Sequence, residues 1–453
     1  MSLPALAQPR SKVLAAAFFV ALPAIVFYTI LFHEALNLPL DDDYGALLDF
    51  LNHLTQLGSF PSRAAYFLAA QHNEYKLYFE HALVWLQFDL FGHVDFRLLC
   101  AFGNGFVLLL AILLWKMFPP EHRDLATRVA LFIPVSWLLF QLEYAETLNW
   151  AMAALQNIPV LVFSLGAIYL LVRATGWAYC GALAFLILAV GSSGNGFCLI
   201  PVGALILTQG RRYAHLASWF AVSAGCLAAY AYRYNVMSSH ADVHHSVLWT
   251  ILRPKPLYVI AFIGSAGGFP FQWVSFPLGF FICFYFLYMA RRGYMRRNPL
   301  VSSCVLFLLL SAVGAAGLRS NLGLGHILAL RYTIYSLLLL IFAWFATVEE
   351  FLLPGSVSPS SNSIFFGVMT AAVLFALCMD FAGWYLLASR HRQLIAGMAA
   401  YEHSSTRSSI SSPAFQWSDR TVSYDAYKLR VRNILIESAR LGIYQSPAFP
   451  SLP

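Results

Sequence analysis

Charge is scarce in this chain. Only 11% of its 453 residues are Asp, Glu, Lys or Arg, and 60% are hydrophobic, whereas a soluble globular domain is nearer one quarter charged. That scarcity excludes a soluble fold: no core could hide so much apolar surface, so the solvent is a bilayer. Cysteine is also sparse. The seven (Cys100, Cys180, Cys198, Cys226, Cys283, Cys304, Cys378) all fall inside apolar segments and lack metal-ligand spacing. They are expected to be small buried hydrophobes, not a disulfide frame or a zinc site. A Walker A, a GxGxxG before a helix, a GxSxG and an internal repeat are missing too. The net charge of +7 does not imply nucleic acid, because much of the Lys and Arg clusters between apolar runs, as in cytoplasmic loops.

What the chain has is a succession of apolar runs. They predict an all-α polytopic membrane protein of about eleven transmembrane helices, judged against the length a bilayer needs. Residues 11–32 follow Arg10 and Lys12 and read as an uncleaved first span with the N-terminus inside. Further spans are expected at 96–117, 127–143, 150–172, 178–191, 197–209, 214–232, 272–290, 299–317, 332–348 and 364–387. Those at 178–191 and 197–209 are short and read as partly broken helices around Ser192-Ser193-Gly194-Asn195-Gly196. Residues 257–269 are apolar, but the Arg-rich stretch 291–297 has to be cytoplasmic, so they are read as a surface or re-entrant helix. The organisation is then a transmembrane domain, 1–388, and an extracytoplasmic C-terminal tail, 389–453, with one helix near 423–440.

Polar chemistry concentrates in the first extracytoplasmic loop, residues 33–95. Leu47, Leu48, Leu51 and Leu54 share one face of an amphipathic helix over 43–57, and 62–91 reads as a second surface helix. The loop carries Asp41-Asp42-Asp43-Tyr44 and Gln71-His72-Asn73-Glu74-Tyr75-Lys76. Capping of a helix accounts for one or two of the acids. Three adjacent acids repel one another, which suits a general base with a neighbour that binds acceptor or metal. Asp42, failing that Asp43 or Asp41, is the expected base. His72, Asn73, Glu74 and Lys76 are either a solvated loop or a polar lid, with Lys76 facing a phosphate. Glu143, Glu146 and Asn149, with Gln141 and Gln156 nearby, sit near the outer end of a span and line a cavity or bond between helices. Arg331 and Arg319 are either interface anchors or clamps for a lipid phosphate. His240, His244 and His245 read as solvated, and no residue set is assigned to a metal.

A first span, an acidic motif, two surface helices, a polar cluster, Phe91-Gly92 and Arg97 resemble the GT-C superfamily of integral-membrane glycosyltransferases. The aminoarabinose transferase and the protein O-mannosyltransferases are of this type. The His-Asn-Glu form of the second element is similar to a bacterial branch in which Gln141-Leu142-Glu143, Gly194-Asn195-Gly196 and Arg331-Tyr332 also have counterparts. The likeness is strongest over residues 11–118 and topological beyond. It departs from the family in its Asp-Asp-Asp motif and in Glu74-Tyr75-Lys76-Leu77, where some relatives have Lys-Pro-Pro-Leu.

The resemblance implies an inverting transfer of a sugar from a polyprenyl-phosphate donor to a glycan, lipid or protein acceptor. This would occur on the periplasmic face of a bacterial inner membrane, with a loop Asp as base. The Lys and Arg clusters and the parity of the expected spans put the N-terminus in the cytoplasm and the C-terminus in the periplasm. It brings Tyr44, Glu143, Asn195 and Tyr332 into the substrate site beside His72, Asn73, Glu74, Lys76, Arg319 and Arg331. Some members use a divalent cation such as Mg or Mn, and others none. A transporter or flippase of a lipid-linked glycan and a non-catalytic membrane scaffold are the competing readings. The long acidic loop favours the transferase, since transporters place polar groups near the midplane.

Overall fold

The computed structural model describes residues 10–119, 124–173, 176–235, 256–319, 323–352, 359–403 and 424–444. His240, His244, His245 and the Ser-rich stretch 404–412 lie outside them. Among the described residues nine helical segments are long and apolar enough to cross a membrane: Ser11–Glu34, Phe96–Met117, Leu125–Tyr144, Ala151–Arg173, Tyr213–Ala231, Gln272–Arg291, Pro299–Arg319, Leu330–Leu352 and Ser363–Ala396. The chain is therefore a multi-pass, all-α membrane protein. Trp177–Ser192 and Gly194–Gln209 are apolar but shorter.

The helices run α1 Arg10–Glu34, α2 Asp49–Gln56, α3 Phe60–Ala69, α4 Tyr78–Phe91, α5 Phe96–Met117 and α6 Leu125–Leu139. After a turn come α7 Ala151–Asn157, α8 Pro159–Arg173, α9 Trp177–Ser192, α10 Leu199–Gln209 and α11 Tyr213–Ala231. The last group is α12 Pro256–Ile263, α13 Ser275–Arg291, α14 Pro299–Arg319, α15 Thr333–Thr347, α16 Pro359–His403 and α17 Tyr424–Arg440.

Burial sorts them. α8 is apolar all round and buries Val160, Leu161, Leu165, Ala167, Ile168 and Leu171, as a central helix must. α1 and α16 leave Phe18, Phe19, Leu374 and Phe381 exposed, which only a lipid solvent tolerates. α12 and α13 meet where Gly264 and Gly279 face each other's neighbours: a Cβ on Gly279 would stand 2.0 Å from the carbonyl oxygen of Ile260. Two backbones that close need glycine.

The first loop departs from expectation in one respect. The second surface helix is two helices, because the polar run 71–76 breaks 62–91 into α3 and α4 with a hairpin between them. The first is a π-helical turn, Tyr44–Leu48, leading into α2, and its Leu47, Leu48, Leu51 and Leu54 are all buried. α12 has eight residues, about 12 Å of helix, too short to cross. α16 runs unbroken through residue 388 to His403, so the tail's first stretch continues a span. α17 returns to the first loop: Asn52 Nδ2 donates to the Ile434 carbonyl, Ser438 Oγ donates to Asn52 Oδ1, and Val94 N donates to the Ile443 carbonyl.

Candidate functional site

The chain leaves α1 and turns at Asp41, whose φ of 44° is left-handed, a conformation Asp and Asn tolerate better than most side chains. That turn sends the three acids in different directions. Asp43 points inward: its Oδ2 accepts from Leu40 N at 2.9 Å and its Oδ1 from Met152 N at 2.8 Å. It ties the loop to the first turn of α7 and is fully buried. This is the capping role, filled from a distance. Tyr44, the next residue, is buried as well.

Asp42 points into an opening. Its Oδ1 lies 3.1 Å from His72 Nε2, and its side chain is 39% exposed, against 15% for Asp41 and none for Asp43. Burial alone would raise its carboxyl, but the His72 hydrogen bond and charge, with Arg331 and Arg319, outweigh that and hold it below the usual carboxylate range. Gly45 makes the pair fit: a Cβ there would stand 2.8 Å from His72 Cε1. Asp41 is the opposite case. Burial, opposed by Arg390, lifts its carboxyl to about 7. Arg390 Nη2 stands 3.7 Å from its Oδ2, and its Oδ1 is buried without a partner.

The hairpin that carries His72 is short and firmly held. His72 and Tyr75 exchange backbone hydrogen bonds of 3.0 and 2.9 Å around Asn73, whose φ is 49°. The Glu74 carbonyl accepts from the hydroxyls of Tyr230 and Tyr234. Lys76 is buried, and its Nζ donates to the carbonyls of Leu68, Ala69 and Tyr232 at 3.3, 2.7 and 3.0 Å. With all three donors engaged it closes the end of α3. The expected phosphate-facing role of Lys76 is corrected on that ground. Behind the hairpin His81 lies flat on Phe50, centroids 3.8 Å apart, and bonds the Ala46 carbonyl at 3.0 Å. Burial lowers its imidazole to about 3, so it is neutral.

The arginines arrive from the spans. Arg319 closes α14, donates to Tyr75 Oη at 3.0 Å and lies over the Tyr332 ring. Arg331 precedes α15, sits 5.0 Å from the ring centroids of both Trp150 and Tyr332, and donates to Glu146 Oε2 at 2.5 Å. A guanidinium has five N–H donors, so one bond to Glu146 leaves donors to spare.

Of the residues expected in the site, Asp41, Asp42, His72, Arg319, Arg331 and Tyr332 therefore gather in one place, with Glu74 beside Tyr75. Asn73 is the exposed tip of the hairpin. Asn195 is one layer behind: its Nδ2 donates to Tyr335 Oη at 2.8 Å, and Gly194 packs on Tyr75. Glu143 does not join. It is fully buried with neither carboxyl oxygen partnered, beside Asp380, which accepts from Leu142 N at 2.7 Å. Asp43, Tyr44, Lys76 and Glu143 thus serve away from the opening. Arg390 was not foreseen. It lay at the start of an expected tail, in Arg390-His391-Arg392, and three basic residues after a span were its only signal.

The described residues hold no group of three His, Cys, Asp or Glu placed for a metal ion. Arg319, Arg331 and Arg390 act on the two site acids and supply the positive charge a divalent ion would bring, so the residues do not fit one. No protein-family model, curated protein or solved structure matches the chain.

Proposed function

We propose that the chain is an integral-membrane glycosyltransferase, which moves a sugar from a polyprenyl-phosphate donor to an acceptor hydroxyl with inversion. The observation that carries this is the division of labour among the three acids. Asp42 alone is accessible and ionised, bonded to His72, with two guanidinium groups close enough to act on its charge. In the proposed reaction Asp42 takes the proton of the acceptor hydroxyl. The acceptor oxygen bonds the anomeric carbon, and the bond from that carbon to the phosphate oxygen breaks. Polyprenyl phosphate leaves with the electron pair, its charge met by Arg331 and Arg319. His72 holds the Asp42 carboxylate in place, and Glu74 and Tyr332 line the sugar's side. In this reading α9 and α10 cross the bilayer as well, which makes eleven crossings of a bacterial inner membrane and places the site on its periplasmic face.

The test is Asp42→Asn in the full chain, folded in detergent and assayed with a panel of polyprenyl-phosphate sugars. Asn keeps the volume and caps as well as Asp but cannot accept a proton. Transfer is expected to fall by about a hundred- to ten-thousand-fold, with donor binding kept. Transfer near the wild-type rate would end the assignment.

A further inference from the structure

Arg390 and Asn149 open onto a cleft that borders the proposed site at Glu146, whose carboxylate is taken up by Arg331. It holds about 300 Å³, and Leu330, Leu386, Leu394, Asn149, Arg390 and Gln393 line it with Glu146. The four α16 residues recur at helical spacing, so one face of α16 forms a wall. Leu330 is the first residue of the apolar segment Leu330–Leu352, and residues 386–394 close the segment Ser363–Ala396. The cleft therefore lies where two spans meet the bilayer surface, with apolar and polar side chains interleaved along the α16 face.

Its polar groups are underused. Arg390's ion-pair partner, Asp41, stands 3.7 Å away, longer than a hydrogen bond. Asn149 is 5% exposed, and its Oδ1 has no partner; Asp41 Oδ1 has none either. Buried acceptors without donors are costly and rare. A phosphate accepts only, so it would suit the Arg390 fork and leave Asn149 Oδ1, the acceptor that lines the cleft, unmet. A hydroxyl group attached to that phosphate would meet it.

We propose that this cleft binds the headgroup of a lipid whose phosphate carries free hydroxyls. The phosphate sits on Arg390, a hydroxyl on Asn149, and the tail beside Leu330, Leu386 and Leu394. The assignment stands on the cleft alone and holds whether or not the chain transfers a sugar.

Native mass spectrometry of the full chain in detergent tests it, with dioleoyl phosphatidylglycerol, phosphatidylcholine and phosphatidic acid as probes and inorganic phosphate as competitor. The wild type is expected to retain phosphatidylglycerol over phosphatidylcholine by about tenfold, the ratio one hydroxyl donated to an otherwise unmet buried acceptor supplies. Arg390→Gln lowers retention of both lipids, since both carry the phosphate, and Arg63→Gln on α3 lowers neither. Asn149→Leu cuts retention of phosphatidylglycerol severalfold and leaves that of phosphatidic acid unchanged. Because Arg390→Gln could unfold the protein, Gln393→Glu, an exposed change that adds a negative charge beside Arg390, gives a second reading: it too should weaken retention of phosphatidylglycerol. Equal retention of phosphatidylglycerol and phosphatidylcholine by the wild type would overturn the proposal. So would variants that bind like the wild type, or displacement by inorganic phosphate at the lipid's own concentration. Loss of sugar transfer with lipid retention intact would bear on the transferase reading alone.

Discussion

Helices α14 and α15 carry charged residues at both ends, and the two ends treat them differently. At the first end Arg319 and Arg331 are largely enclosed. They bond Tyr75 and Glu146, partners 244 and 185 residues away in the chain. Asp42 meets His72 there, and Asp41 meets Arg390. At the other end Arg297 is 55% exposed and pairs with Glu350, while Arg292 donates to the hydroxyl of Tyr288 one helical turn away. Arg128 and Arg212 there donate to the carbonyls of Trp115 and Leu171, at the ends of neighbouring helices. Solvated charges at helix ends fix orientation and cost little. Enclosed charges held by distant segments are expensive, and a fold that keeps them uses them. The difference between the ends, not the presence of arginine, is what locates the site.

The comparison breaks first if both ends matter equally for chemistry. Arg331→Ala is expected to lower kcat/KM for a lipid-phosphate sugar by about ten- to a hundredfold, as the loss of a charge-assisted clamp should. Arg292→Ala at the far end should change it less than twofold. Equal losses would show that the guanidinium acts through folding. The ends can also be told apart directly: in a Cys-free variant, Cys at position 73 and Cys at position 296 should label from opposite faces of sealed vesicles.

A smaller effect separates structural from chemical charge within the first end. Lys76→Met deprives the carbonyls of Ala69 and Tyr232 of this donor and leaves that of Leu68 to Tyr78 Oη. The expected loss is about 2 kcal/mol of stability, the cost of leaving buried acceptors unmet, read as a lower melting temperature. Substrate KM measured below that temperature should hold. A rise in KM with unchanged melting would return Lys76 to the binding site.

Much of the fold was legible because a bilayer imposes one length and one polarity on every crossing. The apolar runs were enough to place nine of the eleven expected spans, most of them within a few residues, while those expected at 178–191 and 197–209 fall on shorter apolar helices. The break of 62–91 at the hairpin was not, since the apolar residues on both sides masked a turn that depends on Tyr230 of α11 and Tyr234 just beyond it. The site was half legible. Acids in an apolar chain stand out, but which of three adjacent acids faces the opening depends on the φ of Asp41 and on a backbone N–H 109 residues away. Lys76 was read as facing a phosphate because a lysine in a polar loop suits one by charge alone, and its three carbonyl partners come from tertiary structure. Arg390 was hidden by the opposite error: it lies past the end of an apolar run, and only the continuation of α16 brings it back to Asp41.

The mildest test distinguishes Asp41 from Asp42 by pH. Asp41 has its carboxyl lifted from 3.8 to about 7 by burial, against the pull of Arg390. The folded state therefore binds more protons than the unfolded state between those values, and stability falls as pH rises from about 4 to about 7 and is level above. Asp42 is shifted the other way: its contribution is present above the unfolded value and is lost only as pH falls through its own depressed one. Between pH 5 and pH 8 the two acids thus predict different slopes. Asp41→Asn removes a titrating group and should flatten the decline in melting temperature over that window by about 2 °C, the scale of a change of about 2 kcal/mol in a chain of this size. Asp42→Asn should leave the decline as it is. A decline that persists in Asp41→Asn would mean that Arg390 already holds Asp41 ionised at neutral pH, and the pair at 3.7 Å would then be a closed salt bridge in solution.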